Sequence, residues 1–477
     1  MVTITGTEST VHPAAEEKRK EGLTRGVMLL TGDPKTAVWK LSGPMMAAML
    51  LMSLYNLVNA IWVAGLGPDA LAAVGFMTPL FMIFIGLGNG LGAGVSSAIA
   101  RRIGAGSREG ADNAAMNGLV ISLVLSVVLT VPLILLAEPI AVLFGAGDVA
   151  PLAAEYGRVI FTGSIFILFT NIAYSILRGE GDTRRTMYAM AGSSVLNAVL
   201  DPFLIYGAGL GVAGAALATV ISMAAVSGLL LYWFFRKKDT YISLSFREFS
   251  PDRSTIADIL KVGLPASLEY LFMSILSIFV NLVLVMVAGT DAVAVYTSGW
   301  RLLMFAVIPE LAISTTLVAI VGASFGARDY RKVQAAHAYA VRLGLIIAAA
   351  MTGFVFVFAP QIAYLFAYTE ASASLAPDIA VFLRVASLVF LVIPLGLMSV
   401  AVFQGTGKGL TSLSLNILRN LAFEAVFIWL FAIVFAFGEI GVWFGIVLGN
   451  IIGGSVAYIW ARLYITRLVK MEKIVAG

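Results

Sequence analysis

Charged residues are scarce in this sequence: they make up 12% of the 477 residues, whereas hydrophobic residues make up 60%. Ordinary globular proteins carry about 25% charged residues, because a folded surface in water must be covered with polar groups. A chain of the present composition cannot cover such a surface, so lipid must be its main solvent. The net charge of +4 then indicates orientation in a membrane and not a nucleic-acid partner.

Cysteine is absent, and histidine occurs twice, as His12 and His337. Disulfides, thiol catalysis and cysteine-ligated metals are therefore excluded, and a histidine-built metal site is close to excluded. His12 lies in a polar segment, and His337 follows a charged stretch, so we interpret His337 as an interfacial residue. Without a nucleophile–base pair or a metal set, the chain is not expected to be an enzyme.

A cleavable signal peptide and a nucleotide-binding loop are also missing. Residues 1–34 are polar and lack the short apolar core of a signal, so we expect a flexible cytoplasmic tail. The run from Gly86 to Gly94 has a G-x-G-like spacing, but it lies inside an apolar helix with no preceding strand. Close helix packing explains these glycines better, and ATP hydrolysis is not expected.

Apolar stretches long enough to cross a membrane recur twelve times. A helix of about 20 residues spans a hydrocarbon core of roughly 30 Å. The predicted spans are 40–65, 73–100, 112–136, 153–176, 184–206, 211–235, 258–288, 292–322, 336–358, 378–402, 411–437 and 441–464. Every second connector lacks lysine and arginine, and five of these six connectors contain acids, whereas the others are basic. The positive-inside rule therefore puts both termini in the cytoplasm of a multi-pass cell-membrane protein.

The two halves of the chain repeat one another. The segment at Gly67 resembles that at Gly289, and the segment at Gly104 resembles that at Gly326, both 222 positions further on. We predict an all-α polytopic membrane protein with twelve transmembrane helices in two six-helix lobes, related by a pseudo-two-fold axis along the membrane normal. The predicted divisions are a cytoplasmic tail (1–34), a first lobe (35–236), a cytoplasmic linker (237–256), a second lobe (257–466) and a second cytoplasmic tail (467–477).

Ionisable residues within the predicted spans differ between the lobes. Each such residue costs about 2.5–3.5 kcal/mol at the bilayer centre, so it needs a partner or a function. Within the second-lobe spans, the acids Glu269, Glu310 and Glu424 are matched in number by Arg301, Arg384 and Arg419. We expect ion pairs across helices, which lower the cost of removing charges from water. The alternative is a charged lining of a substrate cavity between the lobes, or a gate whose pairs exchange during transport.

In the first lobe, Asp201 is the one acid deep inside a helix, with no lysine or arginine at its depth. Asn197 lies one turn earlier on the same face, and Pro202 leaves a helix carbonyl without its partner. Oxygen-bearing side chains elsewhere in this lobe are Tyr55, Asn56, Asn59, Asn171 and Thr219. A lone carboxylate among such groups suits Na⁺ or a proton, because burial disfavours an uncompensated charge. The alternative is a protonated aspartate in a hydrogen-bond network between helices.

Several motifs resemble the multidrug and toxic compound extrusion (MATE) transporters, especially the DinF-type branch. They are GDPK from Gly32, LSGP from Leu41, YNLVNAIWVAGL from Tyr55, AAVG from Ala72, ARRIG from Ala100, RGEGDT from Arg178, NAVLDP from Asn197 and GLGVAGA from Gly209. The resemblance implies a V-shaped pair of lobes that exports organic, often cationic compounds in exchange for Na⁺ or H⁺, without another cofactor. It maps a cation site onto Asn171, Asn197, Asp201 and Thr219, with Tyr55 and Tyr156 nearby.

One departure from the family pattern is Asn59, because the family usually carries aspartate there. Asparagine takes up no proton, although its carbonyl oxygen can bind a cation. We therefore expect weaker Na⁺ binding, with Asp201 as the sole titrating group of the first-lobe site. The second-lobe pattern of the NorM branch is matched at most at Glu269, so a second-lobe Na⁺ site of that kind is not predicted.

The leading hypothesis is a secondary multidrug exporter that antiports amphiphilic compounds against H⁺ or Na⁺. The predicted cation-binding residues are Asp201, Asn197, Asn171, Thr219 and Asn59. The predicted substrate-cavity residues are Tyr55, Asn56, Tyr156, Glu269, Glu310, Arg301, Arg384 and Arg419. The alternative is a flippase for lipid or polyprenyl-linked precursors, which needs a more cationic central cavity. We expect a monomer whose partners are small organic molecules and membrane lipids, with no nucleic acid.

Overall fold

The structure is a computed structural model that describes residues 23–245, 251–366 and 375–476. His12 and the first 22 residues of the predicted tail lie outside these ranges. The described helices of the first half are α1 (Arg25–Thr31), α2 (Pro34–Ala64), α3 (Pro68–Gly104), α4 (Arg108–Leu135), α5 (Ala137–Leu143), α6 (Ala150–Thr162), α7 (Ser164–Gly179), α8 (Thr183–Pro202) and α9 (Gly211–Leu231). Irregular turns add a 3-10 turn at Gly147–Val149 and π-helical turns at Phe203–Gly207 and Tyr232–Lys237.

The second half follows the same order of helices. Its described helices are α10 (Arg253–Ala288), α11 (Thr290–Gly326), α12 (Tyr330–Phe366), α13 (Ala376–Ser387), α14 (Ile393–Gly405), α15 (Gly409–Ile417), α16 (Val426–Trp429) and α17 (Gly438–Ala476). A 3-10 turn at Leu388–Leu391 extends α13. The π-helical turn Leu418–Ala425 joins α15 to α16, and the turn Leu430–Val434 extends α16, so that Gly409–Val434 form one long helix.

Ten of the described helical segments are long and apolar enough to cross a membrane, and two bent pairs bring the number of spans to twelve. The bent pairs are α6–α7, at 48°, and α13–α14, at 43°. The sequence predicts both as single spans, and each bends at an irregular residue. Gly163 stands between α6 and α7, and Pro394 lacks an N–H at the start of α14. The predicted twelve-helix, two-lobe architecture is confirmed.

Helix α1 lies within the segment for which the sequence predicts a flexible tail. Thr24 caps it by accepting a hydrogen bond from Val27 N, and the side chain of Val27 is buried in the core. Lys332 Nζ of the second lobe donates to the carbonyl of Thr31 at 3.0 Å. Residues 25–31 therefore form a helix that is packed on the lobes, in contrast to the prediction.

The two lobes share a hydrophobic core at one end of the molecule and separate at the other. The shared core, which contains Ile99 of the first lobe and Ile320 of the second, lies at the end of α3 and α11 that adjoins the basic connectors. We call this end the base. At the other end each lobe has its own core, around Phe161 in the first lobe and Trp443 in the second. The lobes therefore form a V that is closed at the base, as the resemblance implies.

Helices α3 and α11 cross in direct backbone contact at the base. A Cβ atom added to Gly104 would collide with the backbone of Ala323, and one added to Gly326 would collide with the backbone of Arg101. Gly104 and Gly326 are a pair that the repeat relates. The pseudo-two-fold axis therefore passes close to a crossing that glycine alone accommodates.

Polar contacts fasten the base around this crossing. The hydroxyls of Ser42 on α2 and Thr316 on α11 are 2.7 Å apart. Asp258 of the second lobe accepts from Arg101 and from Arg102 of the first, each at 3.0 Å. The lobes are therefore tied by hydrogen bonds and ion pairs where they also share a core.

His337 lies within the protein and not at the membrane interface, so that prediction is wrong. Its side chain is fully buried, stacks on Tyr458 and has Nε2 3.3 Å from Ser399 Oγ. The charged residues that precede it occupy the first turn of α12, and His337 lies about two turns into that helix.

Candidate cation site and inter-lobe cavity

The candidate cation site lies between α2, α8 and α9 of the first lobe. Asp201 is at the end of α8, directly before the π-helical turn Phe203–Gly207, and its side chain has no exposed area. Single π-helical turns often mark functional positions. Asn197 and Thr219 are buried beside the acid, as the sequence predicts.

The side-chain amide of Asn197 links Asp201 to its neighbours. With its nitrogen towards the acid, Asn197 donates to Asp201 Oδ1 at 3.0 Å and Oδ2 at 3.2 Å, and its oxygen accepts from Thr219 Oγ1 at 3.1 Å. With the amide reversed, the nitrogen donates to Thr219 Oγ1 at 3.1 Å, and the oxygen faces Asp201. The first orientation suits an ionised carboxylate, whereas the second suits a protonated one that donates to the amide oxygen.

Tyr55 continues this network onto α2. In the first orientation of Asn197, the Tyr55 hydroxyl donates to the amide oxygen at 2.8 Å. The same hydroxyl accepts a hydrogen bond from Asn59 Nδ2 at 2.8 Å. A chain of hydrogen bonds therefore runs from the acid on α8 to two side chains on α2.

The other predicted first-lobe residues, Asn171 for the cation site and Tyr156 and Asn56 for the substrate cavity, are not part of this network. Tyr156 is half-buried and near enough to Asp201 to interact with it electrostatically. Asn171 donates to the carbonyl of Ile167 at 2.9 Å, so its amide is engaged within α7. Asn56 is exposed on α2. The side chains that the structure brings into one network are Asp201, Asn197, Thr219, Tyr55 and Asn59.

No basic side chain lies within ion-pair distance of Asp201 in the described ranges. The groups around it are an amide and, through that amide, two hydroxyls, all of which also offer lone pairs. One carboxylate with neutral oxygen ligands fits Na⁺ or a proton, since either compensates one charge. The part of the chain that the structure describes has no group of three or more acids and histidines that could hold a metal ion.

The second lobe does not pair its acids with its arginines, so the predicted ion pairs are wrong. None of the six predicted residues forms an ion pair within the described ranges. Arg301 and Arg384 are exposed, and Arg384 donates to the carbonyl of Phe356 at 3.4 Å. Glu310 is 2% exposed, and neither of its carboxylate oxygens has a hydrogen-bond partner among the described residues.

Neutral side chains solvate the other two acids of the second lobe. Glu269 accepts from Ser412 Oγ at 2.5 Å and from Gln404 Nε2 at 3.5 Å. Glu424 accepts from Asn450 Nδ2 at 2.9 Å. These partners give no signal in the sequence, because hydroxyls and amides are common in membrane helices and lie far from the acids along the chain.

A cavity of about 250 Å³ lies between the lobes, in the half of the molecule nearer to the base. Its lining includes Asn89, Arg178 and Gln404 together with Glu269, which alone of the predicted cavity residues takes part. Arg178 of the first lobe and Glu269 of the second give this cavity one charge of each sign. The sequence offers one signal for Arg178, since it opens the RGEGDT motif.

A buried acid lies outside the membrane spans, next to the inter-lobe linker. Glu180 follows α7, has no exposed area and accepts a hydrogen bond from Ile242 N of the linker at 2.9 Å. Its second carboxylate oxygen is buried without a partner in the described ranges. Burial raises the pKa of the Glu180 carboxyl to about 8, and the Ile242 N–H opposes part of that rise. The linker is therefore attached to the first lobe through a group that titrates near neutral pH.

Comparison with known proteins gives matches over most of the chain. The model of the MatE family matches residues 44–203 and 265–430. The multidrug export protein MepA of Staphylococcus aureus (strain bovine RF122 / ET3-1) is 26% identical over 445 residues, which cover 92% of this chain and 96% of that protein.

Solved structures match at higher identity. A MATE crystallised in complex with MaL6 is 45% identical, with a TM-score of 0.91, and the match covers 94% of this chain and 100% of that one. A MOP superfamily transporter from Pyrococcus furiosus is also 45% identical, with a TM-score of 0.91, over 94% of this chain and 99% of that one.

Proposed function

The chain belongs to the MatE family, and from this premise we propose that it is a multidrug efflux transporter and not an enzyme. It exports amphiphilic, often cationic organic compounds in exchange for Na⁺ or H⁺, and the coupling cation binds at Asp201. The similarity to a multidrug export protein supports the substrate class. The protein lies in the cell membrane as a monomer with both termini in the cytoplasm, and residues 237–256 link its lobes.

The observation that carries the cation site is the burial of Asp201 without a positive partner among the described residues. A buried charge that stays unpaired costs several kcal/mol. A cation that binds and leaves in each cycle removes this cost in one state and restores it in the other. The acid can therefore couple its own occupancy to the shape of the lobe.

The hydrogen bonds of Asn197 supply the mechanism of that coupling. When Asp201 is ionised, the amide nitrogen of Asn197 faces it, and the amide oxygen accepts from the Tyr55 hydroxyl. When Asp201 holds a proton, it donates to the amide oxygen, which is then less available to Tyr55. Tyr55 must change its role or its partner, and the change is transmitted to α2.

Helix α2 is suited to respond, because the half of it that is far from the base is largely exposed. The large apolar side chains of Leu54 and Ile61 are exposed there. Besides the network of Tyr55, this half contacts the end of α8 and the turn after it: Val63 packs on Ile205, and Tyr206 donates a hydrogen bond to the carbonyl of Trp62 at 2.5 Å. A change at Tyr55 can therefore shift this half of α2 against α8 and alter the outer pocket of the first lobe.

The flippase alternative is not favoured by the charges of the inter-lobe cavity. A pyrophosphate-linked lipid needs several cationic groups in one place, because charge-assisted hydrogen bonds are what hold phosphate groups. The cavity offers Arg178, and Glu269 stands in the same lining. Arg301 and Arg384 are exposed elsewhere and do not line this cavity.

The test is transport by the purified protein in proteoliposomes under an imposed proton or Na⁺ gradient. We expect one of the two gradients to drive export of an organic cation such as ethidium, and we expect Asp201→Asn to abolish gradient dependence. Asp148→Asn is a matched control, since Asp148 is an exposed acid of the same lobe. Wild-type rates for Asp201→Asn under both gradients would refute the coupling role of Asp201.

A further inference from the structure

The internal repeat relates the first-lobe cation site to a buried set of residues in the second lobe. A shift of 223 positions carries Asn197 onto Asn420 and Asp201 onto Glu424. The spacing of four residues between amide and acid is therefore the same in both lobes. Both second-lobe side chains are buried, at 3% and 7% exposure.

The first helix of each lobe follows the same relation. The shift of 222 that relates Gly67 to Gly289 carries Asn59 onto Asn281. The side-chain oxygen of Asn281 is buried and has no hydrogen-bond partner among the described residues. An unpaired amide oxygen is a ready ligand for a cation, because its lone pairs are not engaged by another donor.

The last helix of each lobe also has a related position. The Gly-Val pair at the start of α9 recurs in the first turns of α17 at a shift of 230, which carries Thr219 onto Gly449. A Cβ atom added to Gly449 would lie 2.9 Å from Cβ of Glu424, so α17 packs directly on the acid. The adjacent Asn450 donates to Glu424 Oε2 at 2.9 Å. An amide therefore solvates the acid in both lobes.

The two acids also share a backbone irregularity. Glu424 lies within the π-helical turn Leu418–Ala425, and Asp201 directly precedes the turn Phe203–Gly207. Single π-helical turns are rare and occur frequently at functional sites. Their presence at two acids that the repeat relates indicates that the two sites are built alike.

Arg419 is the difference in charge between the two sites. A π-helix bonds residue i to residue i+5, so Arg419 and Glu424 come onto neighbouring turns of one helix. The stem of Arg419 packs on Gly453 and that of Glu424 on Gly449, and these glycines are one turn apart on α17. Arg419 Nε donates to Asn420 Oδ1 at 3.1 Å. The guanidinium group thus engages the amide that the repeat relates to the first-lobe amide.

The two sites also differ in the electrostatic surroundings of their acids. Glu424 and, after it, Glu269 attract the guanidinium of Arg419 electrostatically, although neither is within ion-pair distance. In the first lobe, the shift of 223 places Leu196 at the position of Arg419. The second-lobe site therefore has a positively charged side chain beside its acid, and the first-lobe site does not.

We propose that Glu424, Asn420, Asn281 and Asn450 form a second site for a monovalent cation, Na⁺ or H⁺, which Arg419 keeps neutralised in this chain. The inference rests on the proposed function in one respect, since it takes Asp201 as the site that exchanges its cation. The negative charge of Glu424 is then compensated by Arg419 throughout the cycle. Each transport cycle therefore moves one coupling cation and not two.

Removal of the positive charge of Arg419 tests the proposal. We expect Arg419→Gln to raise the number of monovalent cations bound per full-length chain from one to two. Bound Na⁺ is counted with ²²Na⁺ on purified protein, and bound protons are followed through the infrared band of protonated carboxyl groups. Arg253→Gln is the matched control, since Arg253 is an exposed arginine at the start of α10; it should leave the count at one.

Two double variants assign the new cation to its acid. Arg419→Gln with Glu424→Gln should return the count to one, and Arg419→Gln with Asp201→Asn should leave one cation, held by Glu424. A cation bound by Arg419→Gln with Asp201→Asn supports the second-lobe site even if Asp201 binds none in the wild-type protein. The second-lobe site and the coupling role of Asp201 are therefore tested independently. An unchanged count in Arg419→Gln for both Na⁺ and protons would overturn the inference, as would loss of a bound cation in Glu424→Gln alone.

Folding of Arg419→Gln is a separate readout, because a buried carboxylate that loses its counter-charge is destabilising. We expect Na⁺ to raise the Tm of Arg419→Gln more than choline does at equal ionic strength, and the wild-type protein to show a smaller difference. If Arg419→Gln does not fold, recovery of folding by the added Glu424→Gln supports the compensation. Failure of that double variant to fold contradicts it.

Discussion

Both lobes place an amide and an acid four residues apart on their fifth transmembrane helix, and both bury the acid, yet the two acids have different surroundings. Asp201 has amide and hydroxyl neighbours and no basic residue within ion-pair distance among the described residues. Glu424 has Asn450 as its donor and Arg419 on the neighbouring turn. A repeat can therefore keep its framework while its charges differ, with Leu196 in the first lobe at the position of Arg419 in the second.

The comparison also shows where a lobe can move. In the first lobe, hydrogen bonds run from the acid to Tyr55 and Asn59 on α2, whose far half is largely exposed. In the second lobe, α17 packs on the helix of Glu424 through Gly449 and Gly453. We infer that the first lobe changes shape during the cycle and that the second serves as its rigid counterpart.

The largest expected effect comes from removing the acid of the first lobe, and the related acid of the second lobe serves as its comparison. Asp201→Asn should lower gradient-driven transport at least about 100-fold, or about 2.7 kcal/mol, because the buried charge that a cation compensates is gone. Glu424→Gln should stay within about twofold of the wild-type rate. Initial rates of substrate efflux from proteoliposomes check both, and equal losses in the two variants would contradict the difference between the lobes.

A smaller effect should follow from breaking the link between the first-lobe acid and α2. Tyr55→Phe removes a hydroxyl that bonds Asn197 and Asn59, and one such hydrogen bond contributes about 0.5–1.5 kcal/mol. We expect coupled transport to fall about three- to tenfold, while cation binding persists. Tyr188→Phe is the control, since Tyr188 is exposed on α8. Parallel loss of binding and transport would mean that Tyr55 is a ligand and not a relay.

The first-lobe site can also be strengthened. Asn59→Asp adds a second carboxylate beside the network of Asp201, and we expect Na⁺ to bind about tenfold more tightly, or about 1.4 kcal/mol, because a hard cation prefers charged oxygen ligands. Asn56→Asp adds the same charge at an exposed position of α2 and should leave Na⁺ affinity unchanged. Titration with ²²Na⁺ measures both, and equal affinities would place Asn59 outside the ligand set.

The smallest effect concerns the connectors at the base. Glu180 of the first lobe is buried with a pKa of about 8, whereas its repeat-related position in the second lobe, 226 residues on, is the uncharged Thr406. A folded-state pKa above the ordinary 4.5 means that this group's contribution to stability is fully present below about pH 4.5 and is lost as the pH rises through about 8.

We therefore expect the Tm of the wild-type protein to fall as the pH rises from about 6 to about 9, and the Tm of Glu180→Gln to fall less. Thermal melting in detergent at several pH values measures the difference. The control is Glu138→Gln, since Glu138 is a half-exposed acid of the same lobe. If Glu180→Gln keeps the whole pH dependence, the titrating group lies elsewhere.

The fold can be predicted from the sequence to a large extent, because a membrane restricts the choices. Hydropathy gives the twelve spans, and the repeat at Gly67 and Gly289 gives the two lobes. The bends at Gly163 and near Pro394 cannot be read as breaks, since glycine and proline also occur in continuous membrane helices. The helix at residues 25–31 escapes prediction because its burial depends on contacts with both lobes, which a short segment does not reveal by itself.

The first-lobe site can be predicted more fully than the second-lobe one, for a physical reason. Asp201 and Asn197 share one helix face, and an unpaired acid in an apolar helix stands out in the sequence. In the second lobe, three acids and three arginines suggest pairing by number alone, but pairing requires facing side chains. The hydrogen bonds of Glu269 to Ser412 and of Glu424 to Asn450 depend on how helices pack, which composition does not contain.

The crossing of α3 and α11 at Gly104 and Gly326 is a point at the base about which the two lobes can rotate. Each of these helices has 37 residues, or about 55 Å of length at 1.5 Å per residue. A rotation of about 5° about this crossing would move the distant helix ends by roughly 5 Å, with almost no displacement at the glycines. Because α3 and α11 are long, a sub-ångström displacement beside the axis can widen or narrow the gap between the lobes at the end away from the base by the width of a side chain.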